Sequence, residues 1–216
     1  MSNIIITINR ECGSGGGTIA RLLGEKLGLK VYNRAFLDTV AEQFNMTADN
    51  IEKIKAQKTN WWSDFCRFYQ QFGAASYAKG TPAEPTPLTL YYAEKRILCD
   101  LAEQESCIIV GRAGFHIFRD NPNALHFLIM ADREARIARI AKKQNLSIDE
   151  ATKVVDSIDK ARDTFVKTVA DTSRYDARNY NFTLNVTGFE PNGIATFLAE
   201  NIRQRMELDK NTFSSK

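Results

Sequence analysis

Residues 3–18 read Asn-Ile-Ile-Ile-Thr-Ile-Asn-Arg-Glu-Cys-Gly-Ser-Gly-Gly-Gly-Thr, and this stretch decides the fold. Its apolar, β-branched run Ile4–Ile8 is typical of a buried strand and leads into a glycine-rich loop, Gly13–Gly17. From Thr18 to Leu27, apolar residues recur at helical spacing. A strand, a glycine-rich turn and a helix in this order bring backbone N–H groups to the positive end of a helix dipole. That arrangement is suited to binding a phosphate group.

The loop and the start of the helix supply six candidate phosphate-binding residues: Gly13, Ser14, Gly15, Gly16, Gly17 and Thr18. The P-loop motif G-x-x-x-x-G-K-[ST] is not matched, because no lysine precedes Lys26. The dinucleotide motif G-x-G-x-x-G also fails, since Thr18 stands at its sixth position and Asn33 stands where an acidic residue is needed. Binding of a mononucleotide phosphate is the remaining functional interpretation, and an ordinary glycine-rich turn is the structural alternative.

The composition is that of an ordinary globular protein. Of 216 residues, 44% are hydrophobic, which suffices for one core or one core plus a lid, and a net charge of +3 does not indicate a nucleic-acid partner. Four cysteines without a C-x-x-C pair and only two histidines do not predict a zinc site. No signal-peptide pattern and no apolar run of the ~20 residues that span a bilayer is present. We therefore predict a cytoplasmic protein that binds neither membranes nor nucleic acid.

Five short apolar runs predict strands, and helical patterns separate most of them. The predicted strands are Ile4–Ile8, Leu29–Tyr32, Cys107–Val110, Leu125–Ala131 and Phe182–Val186. The predicted helices are Thr18–Leu27, Ala35–Phe44, Ala48–Lys58, an aromatic stretch within residues 60–79, Leu88–Gln104, Asp132–Lys143, Ile148–Val169 and Asn192–Leu208. Gly28 is expected to end the first helix, and Lys210–Lys216 to form a frayed tail. The alternation favours a parallel sheet with helices on both faces.

Basic residues follow the third and fourth predicted strands. Arg112 stands at the carboxyl end of the third strand, where ligands of open α/β sheets bind, although an arginine there can also simply reach solvent. Arg136 and Arg139 share one helix face, and Asp159 and Arg162 share a face of the next helix. A solvated charged face is the alternative. The helix–break–helix arrangement favours a lid that captures phosphate.

Together these features resemble the nucleoside monophosphate kinases, most closely the cytidylate kinase-like family, over nearly the whole chain. The resemblance rests on Arg10–Gly16, Ile108–Arg112, the pair Arg136 and Arg139, and Ile158–Arg162. It implies one P-loop kinase-type domain over residues 1–216, with a five-stranded parallel sheet and helices on both faces. A helical monophosphate-binding region would occupy residues 34–104, and a lid residues 132–172.

The resemblance also implies roles for the matching residues. The glycine-rich loop with Ser14 would hold the β-phosphate of ATP, and Thr18 or Ser14 would offer a hydroxyl to Mg²⁺. Arg136 and Arg139 would act in catalysis, and Arg10 is a third catalytic candidate because it is the cation nearest the loop in sequence. Four residues would bind the acceptor: Arg34, Arg112, Asp159 and Arg162.

The chain departs from cytidylate kinases proper at three places. Gly16 stands where they have the P-loop lysine, and Val110 where they have an aspartate. At the acceptor site, Asn33-Arg34 replaces an Asp-Ser pair, and a nearby arginine of the family falls on Thr39. Arg10 is the cation nearest in sequence that could replace the lysine.

The leading hypothesis is an ATP- and Mg²⁺-dependent phosphotransferase acting on a small acceptor, with a nucleoside monophosphate such as CMP or dCMP as the family default. A nucleotide-binding sensor or partner-binding module that has lost phosphotransfer is the alternative, and the missing lysine motivates it. An interaction protein built on the aromatic segment Trp61–Tyr77 is a third hypothesis, and the same segment could form a homodimer contact. Cys12 is either a reactive thiol or an inert packing residue.

Overall fold

A computed structural model describes residues 3–33 and 87–214 of the chain, and its centre is a parallel sheet. The strands are β1 (Ile5–Arg10), β2 (Lys30–Tyr32), β3 (Cys107–Val110), β4 (Ala124–Met130) and β5 (Phe182–Asn185). Their order in the sheet is β2-β3-β1-β4-β5, and every neighbouring pair is parallel. The predicted five-stranded parallel sheet is confirmed.

Helices cover both faces of this sheet. They are α1 (Gly16–Leu27), α2 (Pro87–Gln104), α3 (Gly114–Ile117), α4 (Arg133–Gln144), α5 (Ile148–Ala170) and α6 (Pro191–Ser214), with a short 3-10 turn at Ala177–Asn179. Side chains of β1 alternate between the faces, so Ile6 and Ile8 pack with α1 and α6, whereas Ile5 packs with α2. Because both faces of the central strands are buried, β1, β3 and β4 read as nearly continuous apolar runs.

The register brings two strand ends together next to the glycine-rich loop. Ile8 of β1 pairs with Val110, the last residue of β3, and Arg10 pairs with Ile129 near the end of β4. Since the strands are parallel, the loop after β1 and the turn after β3 lie at the same edge of the sheet.

Helices α4 and α5 form an antiparallel pair over this edge. Ile137 and Ile140 of α4 pack with Ala151 and Val155 of α5, and Cys12 of the loop lies in the same cluster. The hairpin is therefore packed directly on the loop. The capping box at the start of α5 is confirmed, because the Ser147 side chain accepts from the Glu150 N–H and the Glu150 carboxylate accepts from the Ser147 N–H.

Several predicted boundaries need correction. Helix α1 begins at Gly16 instead of Thr18, because Gly15 (φ 86°) serves as its N-cap. The predicted frayed tail from Lys210 is wrong as far as Ser214, since no glycine or proline interrupts the chain after Gly193 and α6 continues to Ser214. The ends of the other elements shift by one or two residues, and Gly28 (φ 68°) ends α1 as predicted.

Some predictions lie outside the described residues. These are the helices Ala35–Phe44 and Ala48–Lys58, the aromatic segment Trp61–Tyr77, and the candidate residues Arg34 and Thr39. The homodimer contact and the interaction-protein hypothesis, which depend on the aromatic segment, stay predictions. Among the described helices, none combines the length and the apolar character needed to cross a membrane.

The two histidines are expected to make the free energy of unfolding depend on pH. His126 is buried and shares a hydrogen bond of 2.7 Å with Thr7, and burial lowers its pKa from 6.5. Burial, followed by the charges of Arg119 and Lys95, also lowers the pKa of His116. The unfolded chain therefore binds protons more readily, and the free energy of unfolding should fall as the pH drops below about 6.5.

Urea unfolding between pH 7.5 and 5 measures this effect. We expect a smaller pH dependence in His126→Gln than in the parent protein, because other titrating groups contribute equally to both. An unchanged dependence would contradict the assignment to His126.

Candidate functional site

The glycine-rich loop turns sharply between β1 and α1. Gly13 (φ 79°) and Gly15 (φ 86°) adopt the left-handed conformation that L-residues with side chains avoid. A Cβ atom at Gly13 would also lie 2.6 Å from the carbonyl oxygen of Arg136. Gly13 is thus required both by the turn and by the close approach of α4.

Four backbone amides of this region are open. Within the described residues, the N–H groups of Gly13, Gly15, Gly17 and Thr18 donate to no acceptor. Among the described residues, a Cβ built at Gly17 meets nothing within 4 Å, so this part of the loop faces away from them. Converging free amides at a helix N-terminus form a binding site for an anion such as a phosphate group.

The two hydroxyls proposed as magnesium ligands differ in environment. Ser14 is 1% exposed, and its Oγ donates to the carbonyl of Glu11 (3.0 Å) and accepts from the N–H of Gly16 (3.3 Å). Thr18 is exposed at the start of α1. Of the two, Thr18 is therefore the hydroxyl available to a ligand, and Ser14 shapes the loop from within.

A cluster of arginines, Arg10, Arg112, Arg162 and Arg174, lies beside the loop at the ends of β1 and β3. The backbone carbonyl of Arg10 accepts from Nη1 of Arg162 (3.1 Å) and from Nη1 of Arg174 (3.0 Å). Burial, together with the charges of Arg162 and Arg174, lowers the pKa of Arg10 to about 9. Placing several arginine charges close together in a partly buried site is unfavourable. A bound polyanion would offset this unfavourable free energy.

Asp159 is the main carboxylate facing this cluster. It accepts from the backbone N–H of Cys12 (2.8 Å) and from Nη1 of Arg136 (2.6 Å), and it pairs with Nη2 of Arg174 (3.1 Å). Arg162, three residues further along α5, lies 3.6 Å away. The sequence predicts that Asp159 meets the acceptor; in this conformation its carboxylate joins α5 to the loop.

The two arginines predicted on α4 also contact the loop. Arg136 is 8% exposed and donates from Nε to the carbonyl of Ala131 (2.9 Å) and from Nη1 to that of Cys12 (3.1 Å). Arg139 donates from Nη1 to the carbonyl of Gly13. Both arginines thus hold loop carbonyls on the α4 side and leave the four open amides available.

Arg112 is fixed between two helices after β3. Its guanidinium pairs with the buried carboxylate of Glu94 on α2 and stacks over the ring of Phe165 on α5, 4.6 Å from the centroid. Gly111, Arg112 and Ala113 all have positive φ (82°, 54° and 52°). A left-handed backbone at two residues with side chains costs on the order of 1–3 kcal/mol each, and such strain concentrates at functional sites.

The sequence interpretation missed Arg174, Glu11 and Glu94. Arg174 is fully buried and also pairs with Asp163. Glu11 accepts from the N–H of Ala131 (3.0 Å) through Oε2, which fastens the loop to the end of β4. The adjacent pair Arg10-Glu11 was the available signal for Glu11, whereas nothing in the local pattern marks Arg174 or Glu94.

The cysteine of the loop is 5% exposed, and burial raises the pKa of the Cys12 thiol. Both observations favour the inert packing role over the reactive thiol. Among the described residues, no group of three or more acidic, histidine or cysteine side chains forms a metal site.

Comparison with known proteins shows that this sequence matches a protein family and a protein over most of its length. The sequence pattern of the cytidylate kinase-like family matches residues 5–188. A cytidylate kinase of Thermoplasma acidophilum is 22% identical over 206 residues, which cover 94% of this chain and 95% of that protein.

Solved structures resemble the fold as well. An uncharacterized protein of Eubacterium ventriosum has a TM-score of 0.68 at 20% identity, covering 93% of this chain and 99% of that one. Shikimate kinase of Bacteroides thetaiotaomicron has a TM-score of 0.50 at 13% identity, covering 93% and 98%. At such identities the likeness concerns the fold, which is that of the P-loop kinases.

Proposed function

The chain belongs to the cytidylate kinase-like family, and from this premise we propose that it transfers the γ-phosphoryl group of ATP to a small acceptor. Nucleoside monophosphates are the proposed acceptor class, with CMP and dCMP as the first candidates. One observation carries the proposal: four open amides and a cluster of arginines meet at the same edge of the sheet. That edge is where ligands of open α/β folds bind.

The donor phosphates would bind at the glycine-rich loop. The four free N–H groups of the loop could donate to phosphate oxygens without rearrangement. Arg136 and Arg139 already fix the loop, because they donate to its carbonyls on the α4 side. Preorganised donors of this kind stabilise the charge that spreads over the phosphoryl oxygens during transfer. In this geometry Arg136 and Arg139 act as positioning residues.

Magnesium fits this site only in part. Mg²⁺ supplies neutralisation of phosphate charge, and Thr18 is the exposed hydroxyl that would help to hold it. Val110, 3% exposed and apolar, stands where cytidylate kinases proper have an aspartate. Most of the remaining ligands would have to come from phosphate oxygens and water.

The acceptor phosphate would bind between Arg112 and Arg162. Arg112 lies at the end of β3 and Arg162 on α5, and both belong to the cluster around Arg10. Two arginines on different elements can hold the acceptor so that its oxygen attacks in line with the donor. The α4–α5 hairpin, packed on the loop, would keep water from the transferred group.

A binding module without phosphotransfer remains the second candidate. The observation that favours it is the substitution of two residues, Gly16 and Val110, at the positions of the lysine and aspartate. Tight ATP binding with no turnover of any acceptor would support it.

The deciding experiment is phosphotransfer by the purified protein with Mg²⁺ and γ-labelled ATP against CMP, dCMP, UMP, AMP and GMP. An Arg112→Ala protein purified in the same way controls for contaminating kinases. We expect product with one acceptor and its loss in the variant. Equal product in both preparations, or none with any acceptor, would contradict the proposed substrate class.

Glu94 is expected to position Arg112 for the acceptor. Glu94 is buried on α2, and its carboxylate is the ion partner of Arg112. In Glu94→Gln we expect the acceptor KM to rise about 10-fold while the ATP KM stays within a factor of two, since a charge-assisted hydrogen bond contributes about 1.5–3 kcal/mol. Glu103→Gln, an exposed position on the same helix, is the matched control. A parallel rise in both KM values would indicate general loosening of the site instead.

A further inference from the structure

The glycine-rich loop contains a reciprocal exchange relative to the P-loop motif. In G-x-x-x-x-G-K-[ST] the first glycine precedes the lysine by six positions. With Gly16 at the lysine position, the first glycine falls on Arg10. A cation and a glycine have therefore changed places.

We propose that Arg10 binds the donor β- and γ-phosphates from the position of the first glycine, in place of the P-loop lysine. Gly16 is a glycine because the side chain of Arg10 occupies the space that a side chain at position 16 would need. This inference rests on the proposed function, since it concerns the donor phosphates of that reaction. It names the residue that supplies the missing charge.

The contacts of Gly16 are the first support. A Cβ atom at Gly16 would lie 2.6 Å from Cβ and 3.1 Å from Cγ of Arg10. Gly16 does not have a positive φ, unlike Gly13 and Gly15, so the backbone conformation does not require glycine there. The close approach of the Arg10 side chain therefore accounts for the glycine at this position.

The far end of the arginine side chain gives the second support. A Cβ atom at Gly111 would collide with Nη1 of Arg10 and would lie 3.1 Å from Cζ. The side chain thus extends from the first residue of α1 to the turn after β3. Its guanidinium therefore lies against Gly111, directly after β3, the strand that pairs with β1.

The hydrogen bonding of this guanidinium is the third support. Within the described part of the chain, the guanidinium of Arg10 has no ion pair and donates to no acceptor, although the side chain is partly buried. The nearby carboxylate of Asp159 is engaged by Arg136, Arg174 and the loop. Its five N–H groups, which no described residue engages and which are not among the buried unpaired donors, are available to a ligand that accepts several hydrogen bonds. The phosphates of a nucleoside triphosphate have this chemistry.

Calorimetric titration with Mg-ATP tests the exchange. In Arg10→Met, which keeps Cβ and Cγ but removes the charge, we expect affinity to fall about 10- to 100-fold, as for loss of a charge-assisted contact. Arg10→Lys should retain more affinity than Arg10→Met. Arg21→Met, an exposed arginine on α1 that pairs with Glu25, is the matched control and should bind as the parent does.

A rescue experiment distinguishes the exchange from a merely structural arginine. Gly16→Lys should bind Mg-ATP poorly because its Cβ collides with Arg10, and Arg10→Gly should bind poorly because the cation is lost. Arg10→Gly combined with Gly16→Lys should recover affinity to within about 10-fold of the parent, since it restores the first glycine and the lysine of the motif. Thermal unfolding of each variant identifies any that do not fold. If the Gly16→Lys variants fail to fold, the comparison of Arg10→Met with Arg10→Lys decides.

The outcomes separate this inference from the proposed function. If the parent binds Mg-ATP and a folded Arg10→Met binds it equally well, the exchange is wrong and the proposed function stands. A folded double variant that binds no better than the weaker single variant also overturns the exchange. If the parent binds no Mg-ATP at millimolar concentration, the proposed function is wrong and the exchange is overturned with it.

Discussion

Asp159→Asn is expected to lower the free energy of unfolding by about 3–5 kcal/mol, because it leaves buried arginines without their shared countercharge. Arg136 and Arg174 both bind the Asp159 carboxylate, and Arg174 has no exposed surface. The same carboxylate accepts from the N–H of Cys12. An asparagine keeps the size and one acceptor but not the charge, so the loss is mainly electrostatic.

Urea unfolding at pH 7 measures this loss. Asp156→Asn is the matched control on the same helix, since Asp156 pairs with Arg133 on the surface, where both side chains are more than half exposed. An exposed ion pair contributes about 0–1 kcal/mol, so the control should change stability by less than 1 kcal/mol. Equal effects of the two substitutions would show that Asp159 does not hold α5 on the loop.

The central sheet could be predicted from the sequence because each of its strands is marked locally. The run before Gly13 and the apolar run before Gly111 have strand composition, and the helical patterns between strands require parallel crossovers. The sequence predicts that α1 starts at Thr18, two residues after its observed start at Gly16. The apolar periodicity marks only the first apolar part of the helix, whereas the helix itself begins directly after Gly15, which has the N-cap conformation.

The candidate site was predicted less completely, for a physical reason. The loop glycines and Arg112 follow strands directly, so their position at the sheet edge follows from topology. Asp159 accepts from the N–H of Cys12, although the two residues are 147 positions apart in the sequence. No local pattern predicts a contact between residues so far apart. Arg174 follows the end of α5 in an irregular segment, so neither periodicity nor a motif marked it.

The exchange between Arg10 and Gly16 illustrates the same limit. The sequence shows that the P-loop lysine is missing and that Arg10 is nearby. It therefore suggests that Arg10 replaces the lysine, but it does not show where the arginine side chain fits. Only the backbone of α1 relative to β1 shows that a side chain at position 16 and the side chain of Arg10 exclude each other. Two side chains exclude each other when their atoms would come closer than about 3 Å, and the number of residues between them in the sequence does not give that distance.

Arg162→Met is expected to reduce kcat/KM for the acceptor by about 10- to 100-fold, because Arg162 is proposed to hold the acceptor phosphate and a hydrogen bond between charged groups contributes about 1.5–3 kcal/mol. Nη1 of Arg162 donates to the carbonyl of Arg10 beside the loop, and its side chain is 28% exposed, so part of the guanidinium is accessible to a ligand. Burial lowers the pKa of Arg162 despite the opposing charges of Cys12 and Asp159. As at Arg10, a bound phosphate would offset the free-energy cost of burying the charged guanidinium.

The free energy of unfolding should respond much less to Arg162→Met than to Asp159→Asn. Loss of Arg162 removes one of several crowded cations, and Asp159 keeps its bonds to Arg136 and Arg174. We expect a change below about 1 kcal/mol, since lost hydrogen bonds and relieved repulsion oppose each other. Steady-state kinetics and urea unfolding of the same preparation give both quantities. Arg133→Met, an exposed arginine of α4, is the control that should change neither. A variant that loses stability in proportion to activity would assign Arg162 to the packing of α5 on the loop, whereas reduced kcat/KM with retained stability would place its charge at the acceptor phosphate.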